Sequence, residues 1–271
     1  MNYEAIQNLS IPKIGFGTWS FGGQENADPS EDVRSLAALR SALELGYTHF
    51  DTAEFYAAGH SEELLGQAVR QMNLPRNSLF ITTKVSPEHL KGEDVLRSCE
   101  ASLRRLKMET IDLYLIHWPK VGMLLADTFR ALNQLVSTGK VRHLGVSNFN
   151  LKLLKQSQSL SETPLLTNQV SYSLADHTCR ENGVLAYCQA NDILVTAYSP
   201  VKRRHIKSNQ TLAAIARARN TTPQQIALAW LVAQPRVIAI PMSFNPQHQA
   251  ENLAAASIDL SSDEMQALNK M

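Results

Sequence analysis

The 271-residue sequence has no surplus of either charge: 26 lysines and arginines stand against 25 aspartates and glutamates. No extended potential therefore recommends a nucleic acid or a membrane surface as partner, and a small molecule is expected instead. Cysteine is scarce. Cys99, Cys179 and Cys188 form neither a CxxC pair nor a disulfide framework, which predicts small helix or loop residues in a reducing compartment. Apolar runs fall well short of the ~20 residues of a membrane span. The opening "MNYEAIQNLSIPKIG" lacks the basic and apolar regions of a secretory signal. No Pro/Ser-rich linker, charge block or low-complexity tract interrupts the chain. These absences predict a cytoplasmic protein folded as one domain over residues 1–271.

A glycine-rich dinucleotide fingerprint is also missing. "GFGTWSFGG" (Gly15 to Gly23) has the first two glycines of GxGxxG, but Ser20 occupies the third place and no helical pattern follows directly. What is present is alternation. Apolar runs ending at "IGFGTW", "YTHFD", "LFITTK", "DLYLIH", "RHLGVSN", "LLTNQV", "ILVTAYS" and "RVIAIP" are separated by amphipathic helical stretches such as "EDVRSLAALRSALEL" and "GEDVLRSCEASLRRL". "TTPQQ" reads as an N-cap with proline in the first turn, so two helices are expected between the seventh and eighth strands. Strands alternating with helices imply a parallel sheet covered on both faces. Eight units at this length predict a (β/α)8 TIM barrel, a single α/β domain, with an open doubly wound sheet as the alternative.

In such a barrel, chemistry collects where the strands end. Asp51, Lys84 and His117 fall at or just beyond the ends of the second, third and fourth predicted strands, with 33 positions from each to the next. Equal repeats carry them to one rim, and Tyr56, on the loop after the second strand, reaches the same place. Individually each has a plain structural explanation: a turn cap, a snorkelling lysine, a satisfied histidine, a packed ring. Together they suit protonation of an oxygen. A tyrosine phenol is a reluctant proton donor with an ordinary pKa near 10. A neighbouring ammonium is expected to lower that value, and a buried aspartate would hold the ammonium charged. A histidine beside the hydroxyl would orient a bound carbonyl. The set contains no obvious attacking nucleophile, so the electrons are expected from a cofactor.

The segments "FDTAEFY", "TTK", "IHWP", "GVSNF", "NQVSYS", "AYSP" and "IPMS…AENL" resemble, in order and along nearly the whole chain, the signature segments of the aldo-keto reductases. The resemblance implies reversible hydride transfer between a nicotinamide dinucleotide and an aldehyde, ketone or sugar carbonyl. It places the catalytic tetrad on Asp51, Tyr56, Lys84 and His117. It further implies carboxamide contacts from Ser147, Asn148 and Gln169, and nicotinamide stacking on Tyr198. Gly17, Thr18 and Trp19 match the segment near the nicotinamide half, and Ser199, Pro200 and Val201 match the start of the pyrophosphate loop. Glu251 and Asn252 match the adenine contacts.

Two departures from the family pattern bear on specificity. Met242 and His248 stand where NADP-preferring members commonly carry lysine and arginine against the 2′-phosphate. Ser243, the amides opening the last predicted helix and a protonated His248 are the substitutes available. The stretch "VKRRHIK" (Val201 to Lys207) is either a compensating phosphate contact or an exposed basic loop. NADP(H) is the expected cofactor, NAD(H) the competitor, and no metal is expected. The second departure is length: the segment after His117 and the C-terminus are short. This predicts an open pocket for varied small carbonyls, lined by Trp19, Tyr56, His117 and Trp118, with Phe21 and Phe149 also at the mouth, and a monomeric protein. Two other functions compete. A Schiff-base lyase would use Lys84 as nucleophile, and a regulatory subunit would bind nucleotide with little turnover.

Overall fold

The computed structural model describes residues 2–201 and 209–271. Eight parallel strands follow one another around a single sheet: β3 (Phe16–Gly17), β4 (His49–Asp51), β5 (Phe80–Val85), β6 (Ile111–Ile116), β7 (Val141–Ser147), β8 (Thr167–Ser171), β9 (Leu194–Tyr198) and β10 (Val237–Ala239). The first and last edges meet. Gly15 N–H donates to the Ala239 carbonyl at 2.8 Å, Ala239 N–H to Lys13 at 2.9 Å and Gly17 N–H to Pro241 at 3.1 Å. This is the closed barrel expected from the eight repeats, and closure removes the two edges of the eight-stranded sheet.

The strands are short and buried on both faces, as a parallel sheet requires. Their outward side chains pack beneath helices that include α1 (Asp32–Glu44), α2 (His60–Gln71), α3 (Gly92–Leu106), α4 (Leu125–Ser137) and α5 (Leu151–Leu160). Packing there is close. A Cβ at Gly66 on α2 would lie 2.3 Å from the Leu106 carbonyl oxygen. Two helices, Gln210–Ala218 and Pro223–Val232, do separate β9 from β10, and Thr222 caps the second with Gln225 reciprocating.

The barrel interior has its own small core of Leu113, Leu115, Leu166, Leu194 and Ile238, joined by Ile6 and Ile11. Those two isoleucines come from an N-terminal antiparallel hairpin, β1 (Tyr3–Ile6) and β2 (Leu9–Pro12), absent from the eight expected strands. Gln7 and Asn8 turn it with positive φ angles of 45° and 66°, the twist a two-residue hairpin loop needs. Gln7 Nε2 donates to the Leu165 and Asp192 carbonyls, just ahead of β8 and β9. The hairpin thus plugs the end of the barrel where strands begin, and leaves the opposite end open.

Candidate active site

The stagger of the barrel brings the spaced residues together. Asp51 pairs across β4–β5 with Thr82, and Lys84 across β5–β6 with Leu115. Each step of 33 positions therefore climbs two residues along the next strand, as strand tilt in a barrel dictates. Long side chains then close the remaining gap. Lys84 Nζ donates to Asp51 Oδ1 at 2.5 Å, to the Thr52 carbonyl at 2.7 Å and to the Tyr56 hydroxyl at 3.2 Å. Gln169 Nε2 donates to the other Asp51 oxygen at 2.7 Å. Asp51 and Lys84 are almost wholly buried, and a buried ion pair of this kind persists only when its remaining hydrogen-bonding capacity is also met. Here it is.

Tyr56 sits at the junction of this buried pair and a cleft of about 1350 Å³. Its loop is tightly specified: Ala57 and Ala58, immediately after it, both have positive φ, and Ala57 N–H donates to the Gln24 carbonyl at 2.6 Å. Left-handed backbone at two successive non-glycine residues costs free energy that the surroundings must offset, a pattern common at functional sites. The His117 ring stands edge-on to Tyr56, with centroids 5.6 Å apart. Burial, aided by the Lys84 charge, drives the His117 pKa down to about 3. The imidazole is therefore neutral at any working pH.

The acidity of Tyr56 departs from the sequence-based expectation. Burial raises its pKa above 10, and the Lys84 ammonium offsets only part of that rise, with Asp51 opposing it. Desolvation of a phenolate outweighs one ammonium that is itself paired with a carboxylate. Lys84 is held above its ordinary value by Asp51 and Tyr56 despite burial. The arrangement is a protonated phenol beside a charged ammonium.

Around the rim runs a connected polar floor. Ser147 Oγ donates to the Gln169 carbonyl at 2.9 Å and accepts from Asn148 Nδ2 at 2.9 Å. Tyr198 OH donates to Asn148 Oδ1 at 2.9 Å, which stands its ring as one wall of the cleft. Gly17 lies against the Ile240 carbonyl oxygen, which a Cβ would approach to 2.9 Å; only glycine lets the first strand come so close.

Every residue expected in the tetrad and the cofactor site lines this one cleft, apart from Lys84 beneath its floor, and so do Trp19 and Trp118. Trp19 and Trp118 are partly exposed at one end, while Met242, Ser243, His248, Glu251 and Asn252 form the other. Two expected mouth residues do not belong. Phe21 is fully buried, stacked on Phe244 with centroids 4.3 Å apart, and Phe149 is buried among the outer core. Both ring positions follow a strand end, but their backbones turn the side chains under the helices. The basic stretch Lys202 to Lys207 lies outside the described residues.

Sequence reasoning missed several lining residues. Phe55 precedes Tyr56 and stacks parallel to Trp19; its place in "EFY" was a usable signal. Pro87 and Glu88 follow β5, and Thr222 and Gln224 open the helix Pro223–Val232. Nothing in their local sequence marks them, because only barrel closure brings those loops to the cleft.

Beneath one rim of the barrel the buried Asp51–Lys84 pair supports a phenol that faces the cleft, an arrangement suited to protonating a bound oxygen. The Aldo/keto reductase family model matches residues 13–271, and the chain belongs to that family. It is 36% identical to the methylglyoxal reductase YeaE of Escherichia coli (strain K12), an alignment covering 100% of this chain and 95% of that protein. Among solved structures it resembles the thermostable aldo-keto reductase Tm1743, in complex with the inhibitor epalrestat, with a TM-score of 0.96 at 42% identity over 100% and 99% of the two chains. It also resembles an aldo/keto reductase from Klebsiella pneumoniae in complex with NADP and acetate, with a TM-score of 0.89 at 35% identity over 99% and 94%.

Proposed function

We propose that this chain is, from end to end, one aldo-keto reductase domain that reduces small aldehydes and ketones to alcohols, with Tyr56 as the general acid. The observation carrying the proposal is the Lys84 Nζ to Tyr56 OH hydrogen bond at 3.2 Å, on a buried lysine already paired with Asp51 and opening directly on the cleft. A phenol with a raised pKa stays protonated at neutral pH. As negative charge grows on a substrate oxygen, the phenol transfers its proton, and the adjacent ammonium stabilises the phenolate left behind. Asp51 keeps Lys84 aimed. Neutral His117 offers an imidazole hydrogen bond to the same oxygen without competing for its proton.

The cleft suits a nicotinamide dinucleotide on the chemistry of its donors. It exceeds the roughly 300–1,000 Å³ of ordinary small-molecule pockets, and it has amides and a hydroxyl at one end and a helix start at the other. Ser147, Asn148 and Gln169 would hold the carboxamide, with one Gln169 N–H committed to Asp51 and its amide oxygen and second N–H left to serve the cofactor. Tyr198 would support the ring, and Gly17, Thr18 and Trp19 would flank it. Ser199, Pro200 and Val201 would run beside the pyrophosphate. Ser243 and His248, near the start of the helix Pro246–Ala254, would meet a 2′-phosphate, with Glu251 and Asn252 beside the adenine. When bound, the reduced cofactor supplies the hydride.

NADP(H) is the favoured cofactor, supported by the NADP complex of the Klebsiella relative, and NAD(H) is the competitor because Met242 and His248 offer no fixed cation. A small dicarbonyl is the favoured substrate, supported by the methylglyoxal reductase likeness. We place the protein in the cytoplasm as a monomer. Its three cysteines are free and buried, and burial pushes each thiol up to about 12, which suits a reducing compartment. Among the described residues no helix is long and apolar enough to cross a membrane.

Steady-state reduction of a small dicarbonyl with NADPH and NADH separately tests the proposal. Turnover is expected with at least one. Met242→Lys with His248→Arg should raise the NADPH-to-NADH ratio of kcat/KM by about tenfold or more, the value of one charge-assisted hydrogen bond. An unchanged ratio would remove these two positions from 2′-phosphate reading. Absence of turnover with both cofactors, despite binding, would favour the regulatory subunit.

A further inference from the structure

The mouth of the cleft carries a charge that the reduction itself does not use. Trp19, Phe55 and Trp118 stand partly exposed there, 38%, 39% and 47% accessible, and Glu88 lines the same end. Its place is fixed from below. Glu54, whose carboxylate is mostly buried, accepts from Ser86 N–H at 2.6 Å and pairs with His89 Nδ1 at 3.0 Å. Those two contacts clamp the turn Pro87–His89 against the segment that bears Phe55 and Tyr56. Glu88, at the centre of that turn, is left exposed and lines the same cleft as the aromatic rings.

The other charges near this end are accounted for. Asp51 is neutralised by Lys84, His117 is uncharged, and His89 is turned onto Glu54. Lys120 is exposed two residues beyond Trp118 but does not line the cleft. Among the described residues, the Glu88 carboxylate is therefore the uncompensated side-chain charge lining the substrate end. A negative group beside exposed aromatic faces attracts cations, through Coulomb attraction and through the ring quadrupoles, and repels carboxylates.

The geometry points to Glu88 as a specificity-determining residue that favours carbonyl substrates with a cationic or neutral tail over those with a carboxylate. This rests on the reductase reading of the site, with substrate entering past Trp19, Phe55 and Trp118. Glu88 acts on the tail of the substrate, and Tyr56 on its carbonyl.

The test compares benzaldehydes carrying a para trimethylammonium, nitro or carboxylate group, in wild type, Glu88→Gln and Glu88→Arg. The readout is the cation-to-anion ratio of kcat/KM relative to wild type, which cancels the intrinsic reactivity of each aldehyde. That ratio is expected to fall at least threefold in Glu88→Gln and at least tenfold in Glu88→Arg, with the wild-type preference weakening at high salt. A ratio within twofold of wild type in both variants would overturn the inference while leaving the reductase reading intact. If the neutral aldehyde were not reduced at all, the reductase reading would fail instead. The charge preference would still be read from quenching of tryptophan fluorescence by benzyltrimethylammonium against benzoate in the same three proteins. Equal affinities across them would overturn it.

Discussion

At the scale of single residues, the site is a contest between desolvation and charge. Asp51, Lys84 and Tyr56 share one buried chain of hydrogen bonds, yet the phenol is a weaker acid than free tyrosine because burial outweighs the ammonium. The three residues and their grouping were legible in the sequence; the sign of that shift was not, since burial is a property of the closed barrel. The sign fixes a pH dependence. The acid form of Tyr56 acts in reduction, and a raised pKa keeps that form present to higher pH, with activity lost as pH rises through it. With His117 neutral down to about pH 3, kcat for reduction should show no limb near the ordinary histidine value of about 6.5 and should fall only above about 10. A limb near neutrality in the pH–rate profile would mean that His117 titrates and that its neutral role is wrong. Lys84→Met should lower kcat by about a hundredfold or more, because the phenolate loses its stabilising charge and Asp51 is left unpaired.

At the scale of elements, strong periodicity was readable and short segments were not. The eight barrel strands and the paired helices before β10 follow from apolar runs and a capping threonine. The hairpin β1–β2 escaped because four-residue strands carry little pattern, and Ile6 and Ile11 reveal their purpose only against the barrel floor. The C-terminal helix Ser262–Asn269 escaped as well, although its signal was present. Ser261 caps it, Glu264 returns the bond, and Glu264 also pairs with Arg219. Trp230 Nε1 donates to Asn269 at its far end. Removing the cap with Ser261→Ala should cost about 1 kcal/mol, seen as a fall of about 2 °C in Tm. An unchanged melting curve would show that this helix is held by packing and the Arg219 pair alone.

At the scale of the whole molecule, the two ends of the barrel divide the labour of buried charge. The open end holds Asp51 and Lys84 beside the cleft. The plugged end holds Asp112, whose carboxylate accepts from Arg76 at 2.5 Å, from Arg142 at 2.9 Å and from Ile81 N–H at 2.8 Å. This second group ties β5, β6 and β7 where they begin, at the end opposite the catalytic cleft, so its contribution is to stability. Asp112→Ala strands a buried N–H and should cost about 2–3 kcal/mol, read by denaturant unfolding. A loss of turnover at temperatures where the variant remains folded would contradict that division.

The account stands or falls on Tyr56. The decisive measurement is reduction of a small dicarbonyl by Tyr56→Phe alongside cofactor affinity by fluorescence titration on the same preparation. A loss of about a hundredfold or more in kcat with cofactor affinity nearly unchanged is the predicted result. Near-normal turnover, or loss of cofactor binding in its place, would contradict the assignment of Tyr56 as the proton donor.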